Sequence, residues 1–279
     1  MRPVTVIEPC SWATLRPFQA LLRLRHFSNL LATLTVHRLK VRYAHTRLGF
    51  VWAILQPLVL MSVFALMFSL LGRAPGGDVP YALFAYAALV PWTAFGSGLT
   101  NASSSLTGHA SLLTKVYFPR EILPVSYVAA ALVDLGVAAL ALGGLMAWYG
   151  VAPTLALLWV IPAIAVLAVF LTGAGLLLSA LHVFHRDVGT AIPIALQVWM
   201  FLTPVLYPLT AARDALTPNL YALYALNPMA GVVDTFRRGV LGQAPDAFAL
   251  SSAAIVATAT LCVAFVYFKW AEMTVADAV

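Results

Sequence analysis

One acid, Asp134, sits inside an otherwise uncharged apolar run, and its side chain has the most to explain. An ionised carboxylate in hydrocarbon needs a partner or a function. The plainer alternative is a hydrogen-bonded Asp facing other helices, and no basic residue in another apolar run offers itself for a proton relay. His182, His185 and Asp187 have a spacing that can put two imidazoles on one helical face, yet a solvated loop at the end of an apolar run explains them better. His185-Arg186-Asp187 spells the start of a kinase catalytic loop, but Ile192 stands where the asparagine belongs. The string nearest to a P-loop, GHASLLTK, has Leu113 in place of the second glycine, so no nucleotide site of that kind is present. Neither H-E-x-x-H nor G-x-S-x-G occurs. Cys10 and Cys262 form no motif. What remains is Arg237-Arg238, two guanidiniums beside an apolar stripe of Val232, Val233, Phe236 and Val240. One arginine can reach lipid headgroups there, or meet a phosphate through its planar fork.

The elements that must position these residues follow from composition. Of 279 residues, 62% are hydrophobic and 9% charged, where soluble domains carry about 25% charged residues. The chain is therefore an integral membrane protein. Residues 36–71 organise the rest. Before Gly49, His37, Arg38, Lys40, Arg42, His45 and Arg47 interleave with apolar residues; after it, 50–71 carries no ionisable side chain. At 1.5 Å per residue the second half can cross a hydrocarbon core of roughly 30 Å. An Arg or Lys at the membrane centre costs roughly 2.5–3.5 kcal/mol, so the basic half stays at the surface. Residues 30–48 are expected as a basic amphipathic interfacial helix on anionic lipid.

Six spans are predicted within a domain of 49–270: 49–71, one from 81, 122–149, 155–181, 190–207 and 248–268. The second half of span two, 96–108, is rich in Gly, Ser, Thr and Asn, which suits tight helix packing or a wet cavity. Residues 209–247 hold two apolar pieces too short to cross, separated by Asn227-Pro228, and are expected as re-entrant or outer helices covered by protein. The arm 1–29 is interrupted by Pro3, Pro9 and Pro17 and lacks a signal-peptide pattern. The hairpin 109–121 and the tail 271–279 are expected in the cytoplasm. Eight of the 16 Lys and Arg precede span one, and Lys115, Arg120, Arg186 and Lys269 share that side. Only Arg73, Arg213, Arg237 and Arg238 fall opposite. This bias places both termini inside. The net charge of +6 lies beside spans, which indicates membrane lipids and not nucleic acid. Trp92, Phe95, Trp199, Phe201 and Tyr207 are interface anchors by type, and an inward-facing subset could stack on sugar rings.

Several strings then fall into a familiar order: RYAHTRLGFVWAILQPL, LLTKVYFPREILPVSY, FHRDVG, TPVLYPL and YALNPMAGVVDTFRRGVLG, with ADAV at the end. So arranged, the chain from about residue 30 resembles the permease subunit of ABC-2-type exporters, in the branch that moves O-antigen, capsule or teichoic-acid polymers. The resemblance implies a non-enzymatic homodimer in the bacterial inner membrane, moving a lipid-linked polysaccharide. Two copies of a separate subunit would bind ATP and magnesium, leaving this chain without a cofactor. It implies that Lys115, Tyr117, Phe118, Pro119, Arg120 and Glu121 couple to that ATPase, with Phe118 expected as an anchor in the partner's groove. Arg38, Arg42 and Arg47 would frame the cytoplasmic entrance. Spans one and five would line a channel, making Trp52, Gln56 and Gln197 candidate contacts beside the aromatics and arginines already named. A drug or small-lipid exporter is the alternative within the family. A membrane glycan transferase is the alternative outside it, but its acids would have to cluster, and Asp78, Asp214, Asp234 and Asp246 are scattered.

Overall fold

Gly49 divides the basic stretch from the first apolar one with a left-handed turn, φ +51°, a conformation open to glycine and costly for a residue with a β-carbon. The computed structural model describes residues 27–44, 46–70, 79–109 and 118–278, with side chains through Glu272. Those residues form α-helices and 3-10 turns with no strand. The α-helices are α1 Ser28–Ala44, α2 Val51–Leu70, α3 Tyr81–Ser103, α4 Ile122–Trp148, α5 Val160–Phe184, α6 Asp187–Phe201, α7 Leu209–Ala215, α8 Pro218–Ala225, α9 Pro228–Val240 and α10 Ala247–Ala278.

Among the described residues, five segments are long and apolar enough to cross a membrane: α2, α3, α4, Leu155–Phe184, and α10 through Glu272. The run expected as another crossing, 190–207, holds most of the 15-residue α6, about 22 Å long, followed by a turn. It stops at Phe201 because Pro204 has no N–H to continue the ladder. The expected interfacial helix is also different in kind. Helix α1 forms, but Val36 and Val41 are 49% and 58% exposed, while Arg38, Arg42 and Tyr43 turn toward α4. Leu30, Leu31 and Leu34 pack on the bundle along with them, and the exposed side mixes Val36 and Val41 with His37 and Lys40, so polar and apolar residues are not segregated on two faces.

Helix α3 is the hub, with most of its length buried among α2, α4, α5 and α9. Small residues allow that packing. A β-carbon on Gly98 would lie 2.7 Å from Leu171 and 2.9 Å from Ala131. The polar run that follows largely satisfies itself within its own helix: Thr100 donates to the Gly96 carbonyl at 2.8 Å, Asn101 to Ser97 at 2.6 Å and Ser103 to Thr100 at 2.8 Å. Helices α5 and α10 approach closely at Gly173, where a β-carbon would meet the Leu261 backbone at 2.8 Å. Helix α9 is enclosed by α3, α5 and α10, and Val232, Val233, Phe236 and Val240 are all at most 3% exposed. Its apolar stripe therefore meets protein. Asn227 caps it, accepting from the Met229 N–H at 3.1 Å, and Pro228 occupies the first turn.

Candidate functional site

Helix α1 brings Arg42 and Tyr43 onto α4 at the level of Asp134. Arg42 Nη1 donates to Asp134 Oδ2, and Tyr43 Oη donates to Oδ1 at 2.8 Å. Asp134 is thus 8% exposed but fully engaged, and burial with the adjacent carboxylate pushes the Tyr43 hydroxyl up to about 12. These three side chains form one wall of a cavity of about 290 Å³. Trp52 and Gln56, one turn apart on α2, form the second wall, and Thr93 and Ser97, one turn apart on α3, form the third. Trp52 is 48% exposed, so its ring is not consumed by packing. The cavity offers a charged fork, hydroxyls, an amide and an aromatic face in one space, a set able to hold a polar, ring-bearing solute.

One turn back along α1 from Arg42, Arg38 lies over the Tyr127 ring at 4.4 Å and donates to His109 Nε2. His109 Nδ1 donates to the Ser105 carbonyl at 3.0 Å, which fixes the tautomer that leaves Nε2 as an acceptor. Burial, followed by the Arg38 charge, holds this imidazole below its ordinary value of 6.5. The unfolded chain therefore binds this proton more readily than the fold does. The neutral histidine's contribution is complete above pH 6.5 and is lost as pH falls through the lowered value. Thermal melting of the purified protein should show this acid loss, and His109→Gln, whose amide oxygen can still accept from Arg38, should flatten it.

Below this junction, the end of α3 and the starts of α1 and α4 close over α5 and α10. Phe118 is 7% exposed and packs with Leu106, Ile122, Leu123, Ala180 and Phe268. Within this chain Phe118 packs on the bundle where three helix ends converge. Glu121, 3% exposed, receives Lys269 Nζ at 3.0 Å, and Lys269 also meets Glu272 at 2.8 Å. Arg120 donates to the Glu272 carbonyl at 2.9 Å, and Pro119 is half-buried. Lys115 and Tyr117 lie outside the described residues.

At the opposite end, the break after α6 exposes backbone acceptors that no ladder satisfies. Arg237 supplies the donors. Its Nη1 lies 2.9 Å from the Pro204 carbonyl, 3.3 Å from Tyr207 and 3.5 Å from Val205, while Nη2 meets Asp234 at 3.2 Å and the guanidinium covers the Phe84 ring at 4.1 Å. Asn227 completes the stitching, donating to Thr203 Oγ1 at 3.0 Å and accepting from Trp199 Nε1 at 3.1 Å. Arg237 is 2% exposed. The sequence reading set it against headgroups or a phosphate; in the structure its fork is occupied by protein. Arg238 stays partly open, with Nε 2.6 Å from Asp234.

The remaining candidates separate. Trp92 and Phe95, 5% and 0% exposed, meet Trp199 edge-on, and Phe95 stacks on Phe170, so their faces are spent on core. Gln197 and Phe201 face outward from α6. Tyr207 shares a hydrogen bond with Tyr224 at 3.2 Å. Arg47 is exposed beside the cavity-lining Thr46. His182 turns inward to the Ser103 carbonyl at 3.1 Å, whereas His185 and Asp187 are exposed. Sequence reasoning missed Tyr43 as a partner of Asp134. It also missed the pairing of Thr93 with Ser97, whose i, i+4 spacing was the available signal.

Residues 29–241 match the ABC-2 type transporter family. The chain is 30% identical over 247 residues to the O-antigen export system permease protein RfbA of Myxococcus xanthus, covering 88% of this chain and 94% of that one. A Klebsiella pneumoniae protein of the same name is 30% identical over 224 residues, 78% of this chain and 84% of its own. The polysialic acid transport protein KpsM of Escherichia coli is 23% identical over 251 residues, 86% of this chain and 92% of its own.

Proposed function

The chain belongs to the ABC-2 type transporter family, and from that premise we propose that it is the membrane-spanning permease of an ATP-driven polysaccharide exporter. Its substrate in this reading is a lipid-linked polymer; that it is a polysaccharide such as O-antigen is supported by the names of its relatives. The observation that carries the reading is the cavity between α1, α2, α3 and α4, which combines Arg42 with Trp52, Gln56, Thr93 and Ser97. Arginine suits a phosphate linker, and an open indole suits a sugar face.

In this reading the permease is a homodimer in the bacterial inner membrane with both termini in the cytoplasm. Arg38, Arg42 and Arg47 frame the entrance from that side. Helix α6 acts with the turn 202–207 as a sixth crossing, since protein covers its broken end. The outward faces of α2 and α6, with Trp52, Gln56, Gln197 and Phe201, bound the passage between copies. Residues 115–121 carry the coupling to a separate ATP-binding subunit, with Arg120 at the described edge of that segment.

Deleting the gene should remove the host's surface polysaccharide and leave lipid-linked polymer inside, and a plasmid copy should restore it. The purified chain should hydrolyse no ATP until its ATPase is co-purified. An unchanged cell surface, or robust hydrolysis by the isolated chain, would end this reading.

A further inference from the structure

We infer that the face built from α7, α8, α9 and the start of α10 carries a second saccharide site, taking a polyhydroxylated ring of the exported polymer. This rests on the export reading above. The site is a cavity of about 360 Å³ lined by Leu209, Thr210, Arg213, Tyr221, Arg238 and Asp246, within the size range of small-molecule sites. It lies at the opposite end of the bundle from Phe118 and Glu121, beside the stitched break that follows α6.

Its polar groups converge without satisfying one another. Asp246 uses Oδ1 to cap α10, accepting from the Phe248 and Ala249 N–H groups at 3.0 and 3.2 Å. Oδ2 is left toward the cavity, where Tyr221 Oη stands at 3.4 Å and Arg213 Nη1 at 3.9 Å. Arg213 is 66% exposed along its side chain and lies 5.9 Å from the Tyr221 ring. Arg238 is pinned through Nε to Asp234 at 2.6 Å, and its Nη1 reaches only the Ala244 carbonyl, at 3.4 Å. Two guanidinium forks and a carboxylate oxygen thus face one space across long, weak contacts.

Adjacent hydroxyls of a pyranose answer that arrangement. A carboxylate accepts from one hydroxyl, while a guanidinium donates to the neighbouring oxygens with the same fixed spacing it uses for other two-oxygen groups. The apolar edge of a sugar ring can rest on the half-buried Tyr221 ring. With Asp234 and Asp246 offsetting most of the positive charge, the site favours a neutral ring over a multiply charged anion. Four separate elements supply the groups, so the site exists only in the assembled fold.

The test uses the full-length permease in lipid nanodiscs. The probe is the host's own surface polysaccharide, freed of lipid by mild acid and cut to short oligosaccharides. Binding is read by saturation-transfer NMR and by titration. Wild type should bind, and Arg213→Gln and Asp246→Asn should each weaken binding at least tenfold. Asparagine keeps the helix cap, so Asp246→Asn separates recognition from folding. Thr210→Trp, at an exposed position on the rim, should block binding without removing any charge. Absence of binding to wild type, or wild-type binding by all three variants, overturns the site. The gene deletion distinguishes the two failures. A deletion strain that keeps its surface polymer ends the export reading and this site with it; one that loses the polymer while the binding result is negative overturns the site alone.

Discussion

Arg237→Ala should destabilise the folded bundle by about 3–5 kcal/mol, the range for breaking a buried ion pair by removing one partner. The substitution strips Asp234 of one of its two cations and leaves the carbonyls of Pro204, Val205 and Tyr207 without their donor. At 2% exposure no water replaces it. Arg237→Lys should lose most of the same stability, because one ammonium cannot serve three carbonyls and a carboxylate in the plane of a guanidinium. The paired change Asp234→Asn with Arg237→Met removes the stranded charge but not the orphaned carbonyls, so it should recover only part of the loss. Protein level in the membrane and melting temperature in detergent measure all three. An Arg237→Ala protein that accumulates and melts like wild type would show that the turn after α6 holds itself.

The second large effect is expected at Asp134. Asp134→Ala removes the acceptor of both Arg42 and Tyr43 and should cost about 1–3 kcal/mol, less than at Arg237 because the Arg42 side chain is 31% exposed. Its consequence for transport should exceed that figure, since the same contact forms a wall of the cavity. A double-mutant cycle isolates the contact: Asp134→Asn and Arg42→Gln should each cut export of surface polymer, and the double variant should fall little further. Losses that multiply would mean that the two side chains act apart.

The spans were legible because the hydrocarbon core demands uncharged runs of a minimum length, and 51–70, 122–148 and 247–268 meet that demand on composition alone. The polar stretch at the end of α3 was legible in kind, but it divides between packing, at Gly98 and Ser103, and the cavity wall, at Ser97. Periodicity on one helix does not say which neighbour each face meets. Asp134 announced that it needed a partner, yet Arg42 lies 92 residues away on a segment that read as interfacial, so only the packing of α1 against α4 could join them. Arg237 was conspicuous on the side opposite to most basic residues. Its acceptors proved to be main-chain carbonyls of a broken helix, which leave no mark in a pattern of side chains. The surroundings of Phe118 were not legible, because the surface it packs on is assembled from Leu106 and from α4, α5 and α10, and sequence adjacency shows none of that convergence.

The turn at Gly49 has a mechanical consequence. Its φ is +51° and a β-carbon built there would touch nothing within 4 Å, so the joint itself has room, bridged by the Tyr43 and Phe50 rings at 4.4 Å. On one side, α1 is clamped to α4 through Arg38, Arg42 and Tyr43. On the other, only Pro57 of the whole of α2 is buried. That is the layout of a lever with a fixed fulcrum: α2 is about 30 Å long, so a tilt of about 10° at the joint carries its far end through about 5 Å. Such a swing breaks no helix and leaves the Asp134 clamp in place. A side chain at position 49 would stiffen the joint without touching either arm.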